Sequence, residues 1–217
     1  MYKNLIFDLD GTIIDTLPSI TKSVNYTLKK SKKPYQYNVK EVYNFVGYGT
    51  PYLIGNAFKC MDIKKLPYDK ILKIYLPIQL KIHLQYAKLF PKLKETLTKL
   101  KKKGYRLYVV TNKPIEVAPG TINKLYGDKF FKDVSCPYKD TPKKPDPYLL
   151  NKLIKKHKLQ RKECIYIGDG LADLLTAKNG KIDSVLVKYG YGQYGKFDEN
   201  MAKYIINKPE ELLKIFK

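Results

Sequence analysis

The 217-residue chain has no tryptophan, three cysteines, two histidines and three methionines. Cys60, Cys136 and Cys164 lie far apart, form no CxxC pair and are odd in number, which argues against a disulfide framework or a zinc site. His83 and His157 stand alone, which argues equally against a histidine-rich metal centre. Long apolar runs are also missing. Leu107-Tyr108-Val109-Val110 is typical of those present, far short of the ~20 residues a membrane span needs. No basic and apolar leader precedes the first strand-like run, Leu5-Ile6-Phe7. These absences predict a soluble protein in a reducing, cytoplasmic setting, with no membrane partner.

Arginine is nearly absent as well. Of 42 Lys and Arg residues, only Arg106 and Arg161 are arginine, and with 20 Asp and Glu the net charge is +22. A charge of that size raises the question of a polyanionic partner. Arginine's planar fork, however, dominates base and phosphate recognition, and the lysines are scattered from Lys3 to Lys217. The excess therefore reads as a solvated lysine surface, with nucleic acid disfavoured. Hydrophobic residues at 44% and aromatic residues at 13% supply a core and exclude a disordered chain.

The length suits one domain with a modest insertion. Strands are predicted at 3–7, 105–110, 131–135, 164–167 and 184–187. Between the first two, residues 17–87 read as helical. Ile20, Val24, Thr27 and Leu28 share one helix face, Asn38 or a neighbour starts a second helix, and Thr50-Pro51 opens a third. The stretch 68–86 is a fourth, which Pro77 is expected to kink or split. Further helices are expected from Pro91 to Gly104 and at 146–157, 171–179 and 209–216. Another should start near Pro114, be interrupted at Pro119-Gly120 and resume to Gly127. Strands alternating with helices of this length imply right-handed crossovers and a parallel sheet. The expected fold is a doubly wound, Rossmann-like α/β core of residues 1–16 and 86–217, with residues 17–85 inserted after the first strand.

Three predicted strands end in polar clusters: Asp8/Asp10/Thr12, Thr111/Asn112/Lys113 and Asp169/Asp173. Ligands of open parallel sheets bind outside the carboxyl ends of the strands, so these clusters face one crevice. Lys143-Lys144-Pro145-Asp146-Pro147, before a helix, is placed to close the group. Asp8 and Asp10 leave the same face of an extended chain, and Asp169 adds a third carboxylate. Two unit charges about 4 Å apart repel by ~4 kcal/mol at an effective dielectric of ~20, so the cluster needs a cation. An all-oxygen donor set suits Mg²⁺ better than zinc. The bland alternative for Asp8 and Asp10 is a pair of solvated turn residues.

Phe7-Asp8-Leu9-Asp10-Gly11-Thr12, Val110-Thr111-Asn112-Lys113, Lys144-Pro145-Asp146-Pro147 and Gly168-Asp169-Gly170-Leu171-Ala172-Asp173 resemble, in order, the four motifs of the haloacid dehalogenase-like hydrolase superfamily. The insertion matches that family's small helical cap. Phe45-Val46-Gly47-Tyr48-Gly49 and Tyr189-Gly190-Tyr191-Gly192 resemble segments of its phosphoglycolate phosphatase-like branch. The resemblance implies that Asp8 is the nucleophile and Asp10 the general acid and base. It implies that Thr111 binds phosphate with Lys144 and, more weakly, Asn112. Asp8, the Asp10 carbonyl and Asp169 would hold Mg²⁺, supported by Gly11, Thr12, Gly170 and Asp173.

Plainer readings stand beside these roles. Thr111 can cap a helix, Asn112 can shape a loop, Lys143 competes with Lys144, and Asp173 can be a surface residue. Asp15 reads as a cap or turn residue at the hinge. His83 reads as structural, and Tyr48 and Tyr52 as core or surface. The implied activity is hydrolysis of a small phosphomonoester such as 2-phosphoglycolate, by a monomer or homodimer. A sugar-phosphate mutase, an inorganic pyrophosphatase and a basic polyanion-binding protein are the alternatives.

Overall fold

The computed structural model describes residues 1–138 and 140–217. Its centre is β1 (Asn4–Phe7), a four-residue run in which every side chain is buried. Burial on both faces is the mark of a parallel strand covered by helices. With β2 (Arg106–Val110), β3 (Asp133–Ser135), β4 (Cys164–Gly168), β5 (Asp183–Val187) and β6 (Tyr204–Ile206) it forms one six-stranded sheet. The order is β3-β2-β1-β4-β5-β6, and every pairing is parallel. Alternate side chains point to opposite faces. Leu5 and Phe7 therefore join one core with Leu93, Leu97 and Ile122, while Ile6 joins another with Leu149, Leu150 and Leu153.

Four helices follow β1: α1 (Leu17–Lys30), α2 (Val39–Tyr43), α3 (Thr50–Ala57) and α4 (Tyr68–Tyr86). They bury a core of their own, built on Ile20, Val24, Leu28, Leu53, Ile54 and Tyr75. Asn38 caps α2 by accepting from the Glu41 N–H at 3.0 Å, and Glu41 accepts from the Asn38 N–H at 2.7 Å. The chain leaves and re-enters the sheet through two paired linkers, with Asp15 and Lys88 exchanging backbone hydrogen bonds of 2.8 and 3.1 Å. The remaining helices are α5 (Leu93–Lys102), α6 (Ala118–Tyr126), α7 (Tyr148–Lys156), α8 (Leu171–Asn179) and α9 (Leu212–Ile215). The protein is thus a doubly wound parallel α/β core with a small helical cap after its first strand.

Three details depart from the sequence reading. Pro77 does not split α4, which runs unbroken for 19 residues. Pro77 and Lys73, whose carbonyl loses its i+4 donor, are both exposed, which puts the missing bond on the solvent side of the helix. Pro119 opens α6 rather than interrupting it, because a first-turn proline forfeits no intrahelical bond. The three-residue β6 was not anticipated. Tyr204 and Ile205 are not buried, leaving too little apolar pattern to announce an edge strand.

Four helices end in the same unusual way. After α1, α3, α7 and α8 the chain turns through a lysine with positive φ: Lys32 (53°), Lys59 (54°), Lys158 (51°) and Lys181 (54°). Each turn closes with the paired bonds of a Schellman motif. At α7, Lys158 N–H donates to Lys155 O at 3.2 Å and Leu159 N–H to Ile154 O at 3.0 Å. Glycine ordinarily fills this position, and Gly104 (φ 91°) does so after α5. A left-handed residue with a Cβ costs roughly 1–2 kcal/mol, against which glycine's greater unfolded-state freedom offsets about 0.5–1 kcal/mol. Lys158→Gly is therefore expected to stabilise the fold by about 0.5–1 kcal/mol in urea or thermal unfolding. A loss of stability would show that the lysine makes a compensating contact.

Candidate functional site

The direction of winding reverses between β1 and β4, and the strands beside this switch point end at one edge of the sheet. Asp8 follows β1 immediately, Thr111 follows β2 and Asp169 follows β4. Asp8 N–H donates across the strands to Ile167 O at 2.9 Å. Beyond Asp8 the chain turns back sharply, with Ile13 and Ile14 N–H both donating to Leu9 O at 3.0 Å. Gly11 makes that turn at φ +83°, and a Cβ there would strike the Asp169 carboxylate and the Tyr191 ring. Only glycine permits both the turn and the approach.

Carboxylate oxygens of Asp8, Asp169 and Asp173 lie within 4.8 Å of one another, and all three residues are buried. Lys144 Nζ, itself buried, stands 2.6 Å from both Asp8 Oδ1 and Asp173 Oδ1. Burial lifts the Asp8 pKa to about 7, with Lys144 opposing and Asp173 and Asp10 reinforcing the shift. Burial, Asp173 and Asp8 likewise push Asp169 well above the usual carboxylate range. Three clustered carboxylates against one lysine leave unbalanced negative charge. An all-oxygen set of this kind fits a hard divalent cation.

Asp10 points elsewhere. Its two oxygens accept from Lys113 Nζ at 2.8 and 3.0 Å, and Oδ1 also accepts from Thr16 Oγ1 at 2.6 Å. Thr12 Oγ1 donates to Asp169 Oδ1 at 3.0 Å. Gly170 N–H donates to Asp173 Oδ2 at 3.1 Å where α8 begins. Thr111 is buried and accepts from Lys113 N–H at 3.2 Å; the next helix starts only at Ala118, so Thr111 does not cap it. Asn112 grips the Lys144 backbone on both sides, accepting from its N–H at 2.7 Å and donating to its carbonyl at 3.1 Å. The same Nδ2 reaches Gly47 O of the cap at 3.4 Å.

A cavity of about 210 Å³ lies over these residues. Asp8, Asp10, Thr111, Asn112, Lys144, Asp169 and Asp173 line its floor. Cap residues including Ile20, Tyr48, Gly49, Leu53 and Gln79 line its roof. Tyr191 ties floor to hinge. Its N–H donates to Asp169 Oδ2 at 2.6 Å, while its hydroxyl accepts from Thr16 and Leu17 N–H at 2.6 and 2.9 Å and donates to Asp15. It thereby serves two of the orphan donors at the start of α1. His83 lies buried on α4, where burial and the Lys113 charge hold its imidazole well below the ordinary histidine range.

The structure thus brings Asp8, Asp10, Thr111, Asn112, Lys144, Asp169, Gly170 and Asp173 to one cavity, while Gly11 and Thr12 lie outside its lining, packed against the Asp169 carboxylate. Lys113 as the partner of Asp10 was weakly signalled, since one more lysine in so basic a chain carries little information. The double role of Tyr191 and the inward placement of Gln79 had no signal beyond a glycine-containing loop and a helical period.

Unmet charge in the cluster has a pH signature. Without a cation the folded state keeps protons on Asp8 and Asp169 that the unfolded chain releases above its ordinary carboxylate pKa. Stability therefore falls as pH rises from about 4 to 7. In a chelator, the thermal midpoint should drop across that window. Millimolar Mg²⁺ should raise it, and by more near pH 7.5 than near pH 5. A midpoint indifferent to both variables would contradict a cation-binding cluster.

The family model for haloacid dehalogenase-like hydrolases matches residues 5–187. A phosphoglycolate phosphatase of Vibrio parahaemolyticus is 29% identical over 98% of this chain and 95% of its own length. A protein of Caldanaerobacter subterraneus, named as a candidate pyrophosphatase, is 34% identical over 98% of this chain and 94% of its own length. A solved structure from Haemophilus somnus, named as a phosphoglycolate phosphatase candidate, superposes with a TM-score of 0.85 at 29% identity. That match covers 100% of this chain and 98% of the other. With the carboxylates at the switch point and a cap above them, the chain belongs to the haloacid dehalogenase-like hydrolases, in their phosphoglycolate phosphatase-like branch, and is a phosphoric monoester hydrolase.

Proposed function

We propose that the protein is a Mg²⁺-dependent phosphatase that hydrolyses a small phosphomonoester through an aspartyl-phosphate on Asp8. The names of its relatives make 2-phosphoglycolate the first candidate substrate and pyrophosphate the second. The observation that carries the reading is Asp8 itself. This carboxylate lies in the floor of a small cavity, 2.6 Å from Lys144, with the Asp10 carboxylate in the same wall. At about 210 Å³ the cavity falls below the ~300–1,000 Å³ typical of drug-sized ligands, in favour of a small ester.

In this reading an Asp8 oxygen attacks phosphorus while the bond to the ester oxygen breaks. Asp10 passes its proton to the departing alkoxide. The resulting Asp10 carboxylate then takes a proton from water, whose oxygen attacks the same phosphorus and releases Asp8. Lys144, with the Thr111 hydroxyl, offsets and orients the phosphoryl oxygens. Asn112 holds the Lys144 backbone in place, and Lys113 and Thr16 aim Asp10. Asp8, Asp169 and the Asp10 carbonyl would hold Mg²⁺, with Asp173 in support, and the ion would supply positive charge to the phosphoryl group and keep Asp8 ionised near neutral pH.

Residues 1–16 and 86–217 act as the catalytic core in this proposal, and residues 17–85 as its cap. A cytoplasmic setting accords with three cysteines that remain free. Among the described residues no helix is long and apolar enough to cross a membrane.

Asp8→Asn should abolish Mg²⁺-dependent hydrolysis of phenyl phosphate. Because it removes a buried, repelled carboxylate, it should also raise the thermal midpoint of the metal-free protein. Retained turnover in that variant would sink the mechanism. Duplex DNA binding that weakens steeply with salt, in a protein without phosphatase activity, would favour the polyanion-binding alternative.

A further inference from the structure

Three polar side chains of α4 are buried with side-chain atoms that lack a hydrogen-bond partner among the described residues: the Tyr75 hydroxyl, Gln79 Oε1 and both ring nitrogens of His83. They recur at every fourth residue and so share one helix face, but of the three Gln79 alone is in the cavity lining. Gln79 is only 3% exposed, yet it lines the cavity above Asp8 and Asp10. The roof's apolar side chains, Ile20, Val46 and Leu53, offer nothing for a carboxamide to bond.

Leaving a buried polar group unpaired costs about 1–3 kcal/mol. Leucine or methionine would fill the same space without that cost. Packing alone therefore does not account for glutamine at this position, and the floor's lysines, Lys113 and Lys144, are already engaged by its own carboxylates. What Gln79 lacks is a group that enters the cavity from outside.

Resting on the phosphatase reading above, we infer that Gln79 is a substrate-positioning residue, whose carboxamide binds an oxygen carried by the leaving group of the phosphomonoester. The amide offers one acceptor and two donors, so it accepts from a hydroxyl or donates to a carboxylate. Among the described residues the cap's share of the lining has no charged side chain, so recognition from that side is by hydrogen bonding. A bare hydrocarbon leaving group would leave Oε1 as unpaired as it is now. Sites built to bond a substrate oxygen discriminate against analogues that lack it for this reason.

The test compares wild type with Gln79→Leu on three esters in Mg²⁺: 2-phosphoglycolate (carboxylate), glycerol 2-phosphate (hydroxyls) and phenyl phosphate (neither). Thermal unfolding is measured on both proteins. The expected result is that kcat/KM for one oxygenated ester, relative to phenyl phosphate, falls about tenfold or more in the variant, chiefly through KM. Which ester shows the fall identifies the oxygen. The variant should also melt at the same or a higher temperature, since an orphaned polar atom has been removed. Equal losses on all three esters, or a lower melting temperature with no change in preference, would assign Gln79 a structural role and overturn the inference. Those results leave the phosphatase reading intact. A wild-type protein that hydrolyses none of the three would overturn the phosphatase reading and this inference with it.

Discussion

Three carboxylates held within 4.8 Å of one another, in a place water barely reaches, set the terms for most of what surrounds them. Burial first, and their mutual repulsion second, push Asp8 and Asp169 toward protonation, and a chain could not keep them together without compensating structure. Lys144 answers part of the charge, bonded to two of the three at 2.6 Å. Its own placement depends on Asn112, which takes hold of its backbone from the end of the neighbouring strand. Thr12, the N–H of Tyr191 and the start of α8 hold the rest. Loops with little regular structure are thereby locked to the sheet by the charges they carry.

The order of elements was legible because both signals behind it are strong. Buried strands such as Asn4–Phe7 and Cys164–Gly168 are continuous apolar runs, and each breaks off at a polar cluster. The parallel topology then forces those clusters to one edge, which is why residues as far apart as Asp8 and Asp169 could be grouped beforehand. Proline was harder to interpret, since its effect depends on where its neighbours face. Pro77 sits harmlessly on the wet side of α4, and Pro119 sits where a helix begins. Side-chain partnerships were less legible still. That Lys113 would turn toward Asp10, and Tyr191 toward both Asp169 and the hinge, depends on loop geometry that no period encodes.

The net charge of +22 finds a modest place in this picture. Lys144 and Lys113 are buried partners of Asp8, Asp173 and Asp10 at the cavity floor. Others stand in the last turns of helices, as Lys29 and Lys30 do in α1 and Lys155 and Lys156 in α7, where a cation meets the negative end of the helix dipole. The surface excess favours the approach of any anion at low salt.

The left-handed lysines at 32, 59, 158 and 181 bear on how this protein can change. Composition has there prevailed over local geometry, and the fold carries a small, distributed deficit at four helix ends, none of them in the cavity wall. Proteins persist just above a threshold of stability, and most substitutions spend some of that margin. Restoring glycine at such ends would widen the margin without touching the chemistry. A lineage of this fold thus holds a reserve from which residues over the sheet edge can be exchanged, and new esters accommodated, before the chain ceases to fold.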